Sequence, residues 1–166
     1  TVFENVLIAK HMNMKAGLFL STCMINYKEE REMRRQSTEL LEIVGLAELR
    51  SEISGSLPYG QQRRLEIARA LATEPSLLLL DEPAAGMNPQ EVEDLINLIK
   101  WVHEHFKISI LLIEHQMRVI MGVCPHIVVM DFGEVIARGS PEEIQNNPRV
   151  IEAYLGAEEN GEGEAA

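Results

Sequence analysis

The chain has 166 residues, of which 46% are hydrophobic and 25% charged, and its formal net charge is −11 at pH 7. That length suits one domain, or a core with a small subdomain, and supplies enough apolar surface for a buried interior. The acidic balance argues against non-specific binding to nucleic acid or anionic lipid, because both are polyanions.

Residues 1–50 read as helical and irregular, with a charged stretch KEEREMRRQ at 28–36. Leu40, Leu41, Val44 and Leu49 recur at helical spacing, and Gly45 is placed to end that helix. Residues 51–60 carry Gly, Ser and Pro and read as a loop. A helix is expected from about 61 to 73, with Leu65, Ala68, Leu71 and Ala72 on its buried face and Arg63, Arg64 and Arg69 elsewhere. Pro75 closes it. SLLLL then runs into Asp81 as a fully buried strand. Asn88-Pro89-Gln90-Glu91 opens the next helix: Asn88 caps, Pro89 suits the first helical position, and Glu91 bonds back to the cap. Val92, Leu95, Ile96, Ile99 and Val102 mark its apolar face. ISILLI at 108–113 is a second buried strand, ending at Glu114-His115, and a short helix follows near 117–122. In HIVVMDFGEVIAR (126–138), two apolar runs flank Asp131-Phe132-Gly133-Glu134 and predict a hairpin. Ser140-Pro141-Glu142-Glu143 repeats the capping pattern and opens a last helical region to about 155. Residues 157–166 (AEENGEGEAA) read as a disordered acidic tail. Strands alternating with helices indicate an α/β fold with a mainly parallel sheet.

LLLLDEP (77–83) is the strongest local signal. A buried strand delivers Asp81 and Glu82 to its C-terminal end, where α/β proteins place ligands. In phosphoryl transfer such an Asp holds Mg²⁺ through water, and the following Glu is placed to orient an attacking water. The competing reading is an acidic strand end before a turn-forming Pro. One strand-helix-strand unit later, His115 ends the next strand. Neighbouring parallel strands would bring both ends to one edge, where His115 could donate to a γ-phosphate. An ordinary exposed strand-end histidine is the alternative. SLPYGQQRRLEIAR (56–69) raises a related question. A helix start attracts anions, yet the loop has one glycine where a phosphate cradle usually has several.

SLPYGQQRRLEIARAL, LLLLDEPAAGMNP and ILLIEH, in this order and spacing, resemble the signature loop, Walker B strand, D-loop and switch-histidine loop of ATP-binding cassette (ABC) ATPases. YGQQRRLEIARAL, DEPAAGMNP, LLIEHQM, NNPRVIEAYLG and the opening TVFENVLIAKH are further similar to the cytoplasmic ATPase subunits of branched-chain amino acid importers. The resemblance covers nearly all of the chain before the acidic tail. It implies a P-loop NTPase-like fold, present in part: a helical subdomain over 1–60 with the signature loop at its end, the Walker B and switch-histidine half of the core over 61–156, and a tail over 157–166. It implies ATP and Mg²⁺, with Asp81 next to the metal through water, Glu82 as general base and His115 as switch histidine. Leu57, Tyr59, Gly60 and Gln61 would lie in the signature loop, with residues 84 to 88, ending at Asn88, forming the D-loop across a dimer interface. The implied partners are a second ATPase subunit, identical or not, transmembrane permease subunits and, indirectly, an extracytoplasmic substrate-binding protein. Nucleic acid is not among them. The implied place is the cytoplasmic face of the cell membrane.

Two positions depart from the family pattern. Pro58 stands where the commoner signature has a serine that contacts the γ-phosphate, and Pro offers neither hydroxyl nor N–H. Asn88 stands where an aspartate is common, keeping a cap but losing a charge. The P-loop motif G-x-x-x-x-G-K-[ST] occurs nowhere in the 166 residues, nor does the glutamine loop that the family places just before a segment like TVFENV. Together with a first residue that is Thr1, this reads as the C-terminal two-thirds of a longer protein. A sheet lacking its P-loop strand is expected to expose edges and apolar surface, and the chain by itself to bind ATP poorly.

Rival readings follow from the same features. One is a non-catalytic fragment that pairs with intact subunits and lends them its signature loop. Another is an ABC protein of DNA repair or translation, which usually carries coiled-coil insertions or tandem cassettes that are not seen here. A third is the ATPase of a urea or amide importer or of a lipopolysaccharide exporter. His103-Glu104-His105 is too compact for a zinc site, since alternate helical residues point apart. The cysteines, Cys23 and Cys124, form no C-x-x-C pair and read as inert thiols of a reduced protein. The scattered methionines read as core filling. No apolar run approaches the roughly 20 residues that span a bilayer, and no signal-peptide pattern opens the sequence.

Overall fold

The computed structural model describes residues 1–12 and 27–159, so Cys23 and the last part of the acidic tail lie outside the described residues. These residues form two compact units, Thr1–Ile113 and a second that begins at Glu114. The helical subdomain expected over 1–60 and the start of the core expected from 61 lie together in the first.

In the first unit, α1 (Val2–His11) and α2 (Tyr27–Ile43) pack on α3 (Tyr59–Ala72). The charged stretch forms the surface of α2, with Arg34 bound to Glu30 at 2.7 Å and Arg35 bridging Glu32 and Glu39. Such exposed i,i+3 and i,i+4 pairs stabilise the helix only weakly, because solvent screens them. Leu40, Leu41 and Val44 are buried beneath it. Gly45 ends the helix as expected: its φ of 72° lets Leu46 N–H reach the Leu41 carbonyl at 2.8 Å, a bond that only a left-handed residue permits. Leu49 lies beyond the helix, in a short 3₁₀ turn at Ala47–Leu49.

Helix α3 starts at Tyr59, two residues earlier than the sequence pattern suggested. The Pro58 carbonyl accepts from Gln61 N and Gln62 N, both at 3.0 Å, which makes Pro58 the N-cap. Leu65, Ala68, Leu71 and Ala72 are buried as expected. In α4 (Pro89–Phe106), Val92, Leu95, Ile96, Ile99 and Val102 are all buried, and left-handed Lys107 (φ 53°) closes the helix.

Strand β1 (Leu77–Asp81) pairs in parallel with β2 (Ser109–Ile113), Asp81 opposite Ile113. Neither strand is buried on both faces, which corrects the expectation for SLLLL and ISILLI. Leu78 and Leu80 are buried, whereas Leu79 is 64%, Leu111 56% and Ile113 59% exposed. Parallel strands read as continuous apolar runs because layers normally cover both faces. Among the described residues only one face of this pair is covered, so burial alternates with the pleat.

The second unit holds α5 (Met117–Val123), the antiparallel hairpin β3 (Ile127–Asp131) and β4 (Glu134–Gly139), α6 (Pro141–Gln145) and α7 (Pro148–Glu159). Ile127, Val129, Ala137, Ile144 and Val150 form its core. The hairpin turns at Phe132 and Gly133 with φ of 43° and 83°, the pattern of a two-residue type I′ turn. The helical region expected from 140 to about 155 is made of two helices. Asn147 Oδ1 accepts from Arg149 N at 3.0 Å, and Pro148 has no N–H to continue the first helix, so a new one begins there. It runs to Glu159, which places the start of the expected disordered tail in a helix.

Candidate functional site

The site is assembled in the first unit from three backbone turns. The first is the end of β1. Asp81 and Glu82 are both exposed there, and Glu82 N–H donates to the Ile113 carbonyl at 2.8 Å. That bond extends the parallel ladder one residue past the strand and fixes Glu82 in the left-handed region at φ 44°. A branched or long side chain there is strained by about 1–2 kcal/mol, and such strain concentrates at functional positions.

The second turn is the start of α3. Leu57 is 6% exposed and anchors the loop in the core, and its carbonyl accepts from Gln62 Nε2 at 2.7 Å. Pro58 makes no side-chain cap bond, so the first-turn amides keep their positive field directed out of the helix. Gly60 is buried and Gln61 half-buried. Tyr59, 44% exposed, accepts from Arg63 Nε at 2.9 Å, and the Arg63 guanidinium lies 4.8 Å from its ring centroid. Glu66, bound to Arg63 at 2.7 Å, and then Tyr59 raise the Arg63 pKa further.

The third turn is residues 82–88, leading into α4. Ala85 N–H and Met87 N–H donate back to the carbonyls of Glu82 and Ala84, each at 3.2 Å. Ala84 is fully buried, and Gly86 takes φ 70°. Asn88 Oδ1 accepts from Gln90 N and Glu91 N at 3.0 Å, and Glu91 Oε2 accepts from Asn88 N at 2.9 Å. The capping box expected from Asn-Pro-Gln-Glu is therefore complete.

The second and third turns touch. Tyr59 Cδ1 and Cε1 lie 3.5 Å from where a side chain on Gly86 would begin. Glu91 Oε1 lies 2.8 Å from the corresponding point on Gly60. Sequence reasoning took Glu91 for a cap alone and gave Gly86 no partner. The only signal was a glycine in each of two loops, and nothing in the spacing pairs them.

His115 belongs to the second unit. Its side chain is 62% exposed, and its backbone N–H donates to Glu114 Oε2 at 2.9 Å, as does Gln116 N–H at 3.1 Å. The Glu114 side chain is fully buried and so orders the backbone that carries the histidine. Two other histidines are engaged locally: His103 Nδ1 contacts the Ile108 carbonyl and His105 Nδ1 the Trp101 carbonyl, both at 2.9 Å. Cys124 is partly buried, and burial pushes its thiol pKa up, which disfavours the reactive thiolate.

Residues 1–85 match the family model described as "ABC transporter", and residues 134–160 match "Branched-chain amino acid ATP-binding cassette transporter". The high-affinity branched-chain amino acid transport ATP-binding protein LivG of Salmonella typhimurium is 47% identical over 159 residues, covering 94% of this chain and 62% of that protein. LivG of Escherichia coli (46% over 159 residues) and BraF of Pseudomonas aeruginosa (46% over 160 residues) are covered to the same extents. The chain thus spans about three-fifths of the length of these relatives. Among solved structures, the ADP conformation of MJ1267, an ATP-binding cassette of an ABC transporter, superposes with a TM-score of 0.73 at 32% identity, over 94% of this chain and 63% of that one. CbiO1 from Clostridium perfringens, part of the ABC transporter complex cbiONQ, gives 0.73 at 27% identity, over 96% and 60%.

Proposed function

The chain belongs to the ABC transporter family, and on that premise we propose that it is part of the ATP-binding and ATP-hydrolysing subunit of an importer for branched-chain amino acids. The observation that carries the reading is the end of β1, where Asp81 and Glu82 stand exposed on a parallel pair in the same unit as the start of α3, which has no side-chain cap bond.

Asp81 and Glu82 supply hard oxygen donors, and Mg²⁺ is ordinarily held by one or two carboxylates together with phosphate oxygens and waters. The donor set therefore fits the ion, with Asp81 nearest to it through water. When bound, Mg²⁺ supplies charge neutralisation at the phosphates. Glu82 accepts the proton of the attacking water and aligns it on phosphorus. His115, held by the Glu114 backbone bonds, donates to the γ-phosphate. Gly60, Gln61 and Tyr59 present the first turn of α3 to a nucleotide that a second subunit brings, which explains a phosphate-gripping loop with a single glycine. Leu57 fixes the depth of that turn, and Asn88 sets the direction in which residues 84–88 leave it.

In this reading the subunit works as a pair, identical or not, on the cytoplasmic face of the membrane. ATP-driven closure of the pair moves attached permease subunits, which receive cargo from a substrate-binding protein. Among the described residues no helix is long and apolar enough to cross a membrane, which is compatible with peripheral attachment. The test uses a complete cassette, in which a P-loop segment precedes this chain. Glu82→Gln is expected to retain ATP binding and lose turnover, and near-normal turnover would refute the base assignment.

A further inference from the structure

Two side chains bridge the signature turn and the loop after β1 within one chain. The Tyr59 ring covers the Cα of Gly86, which sits in a left-handed turn with no side chain of its own. Tyr59 is in turn braced by Arg63, through the hydroxyl bond at 2.9 Å and the guanidinium over the ring. Arg63 is braced by Glu66. The second bridge is Glu91. One carboxylate oxygen closes the capping box of α4, and the other lies 2.8 Å from the point where a Cβ on Gly60 would stand. A side chain at position 60 would displace a carboxylate that the α4 cap is using. Both bridges link the first turn of α3 to the segment 84–91.

From these contacts we infer that Tyr59 and Glu91 are positioning residues that join the signature turn and residues 84–88 into one rigid body. The inference rests on the function proposed above. A shift of the first turn of α3, such as closing on a phosphate would cause, moves Gly86 through the ring and the α4 cap through the carboxylate. Packed elements move as blocks because close-packed contacts do not deform continuously. Tyr59 then has a mechanical purpose: its ring, 3.5 Å from the vacant Cβ position of Gly86, supplies a lever between the two turns.

The test reads one element while the other is changed. Amide hydrogen exchange is measured on the 166-residue chain. Tyr59→Ala is expected to speed exchange at Ala85 and Met87 by about tenfold, and Gly60→Ala to do the same at Asn88, Gln90 and Glu91. Tyr59→Phe, which keeps the ring on Gly86, is expected to leave exchange at 85–87 at the wild-type rate. Unchanged exchange across 84–91 in both Tyr59→Ala and Gly60→Ala overturns the inference, as does equal speeding in Tyr59→Phe. If Gly60→Ala does not fold, Tyr59→Ala against Tyr59→Phe decides alone. In a complete cassette, Glu91→Ala is expected to lower kcat about tenfold with KM for ATP changed less than about threefold, and Glu91→Gln to recover most of the loss, since Gln also closes a capping box. A fall confined to KM, or no recovery, overturns the positioning role. An inactive unsubstituted cassette would instead sink the proposed function, and the exchange result stands apart from it.

Discussion

Glu91 serves two helices at once: its Oε2 caps α4 at Asn88 N–H, 2.9 Å away, while its Oε1 stands 2.8 Å from the vacant Cβ position of Gly60 in α3. One carboxylate thus fixes the spacing of two helix starts. A glycine that resembles a phosphate-binding residue is also required by an intramolecular neighbour.

Asn88 should contribute to stability through its cap. Asn88→Ala is expected to destabilise the chain by about 1 kcal/mol, read from urea unfolding of the 166-residue chain. Asn88→Asp should match or slightly exceed the native residue, because a negative charge suits a helix N-terminus. A loss on Asn88→Asp equal to that of the alanine variant would show that the cap is not what the side chain provides.

Glu82 occupies a left-handed backbone position. Glu82→Gly should relieve that strain and raise stability by up to about 1 kcal/mol, while removing turnover in a complete cassette. Thermal unfolding and ATPase assay of the same variant read the two effects. Lower stability on glycine substitution would contradict the strain.

Phe132 is fully exposed and left-handed in the hairpin turn. A type I′ turn favours Asn-Gly, so Phe132→Asn should stabilise the second unit by about 0.5–1 kcal/mol. Hydrogen exchange of the β3–β4 amides is the direct measurement, with slower exchange expected.

Glu143 accepts the Ser140 backbone N–H at 2.7 Å, and this bond, then the Ser140 hydroxyl, hold its carboxyl below the ordinary value of 4.5. A lowered native pKa means the bond supports the start of α6 above the unfolded value and fades as pH falls through the lower native one. The protection of the Ser140 amide relative to its intrinsic exchange rate should therefore fall as pH drops below the ordinary carboxylate value of 4.5. Glu143→Gln should flatten that dependence.

The exposed face of β1 and β2 should make the isolated chain self-associate. Leu79→Thr combined with Leu111→Thr is expected to reduce light scattering without loss of helical signal. The same chain should bind Mg-ATP more weakly than micromolar in calorimetry, since no P-loop motif is present to hold the phosphates.

Much of the fold was legible locally. The buried faces of α3 and α4 follow from apolar spacing, and the caps at Asn88 and Ser140 from Ser/Asn-Pro-x-Glu patterns, because these signals act within one or two helical turns. The break at Asn147-Pro148 was missed although its residues were visible, since capping chemistry outweighed the apolar spacing that ran through it. The half-exposed strands were misread because an apolar run says which residues can be buried, not whether a layer exists to bury them.

The succession of a helix opening just after Gly60, a strand ending at Asp81-Glu82 and a second strand running toward His115 was legible in the sequence alone, because each step rests on local chain geometry. That Tyr59 would rest on Gly86, that Glu91 would reach Gly60, and that Glu82 would be held left-handed by the Ile113 carbonyl were decided by tertiary structure. Those contacts join residues from 27 to 31 positions apart in the chain. No local propensity encodes such a meeting, because it exists only after helices and strands have packed.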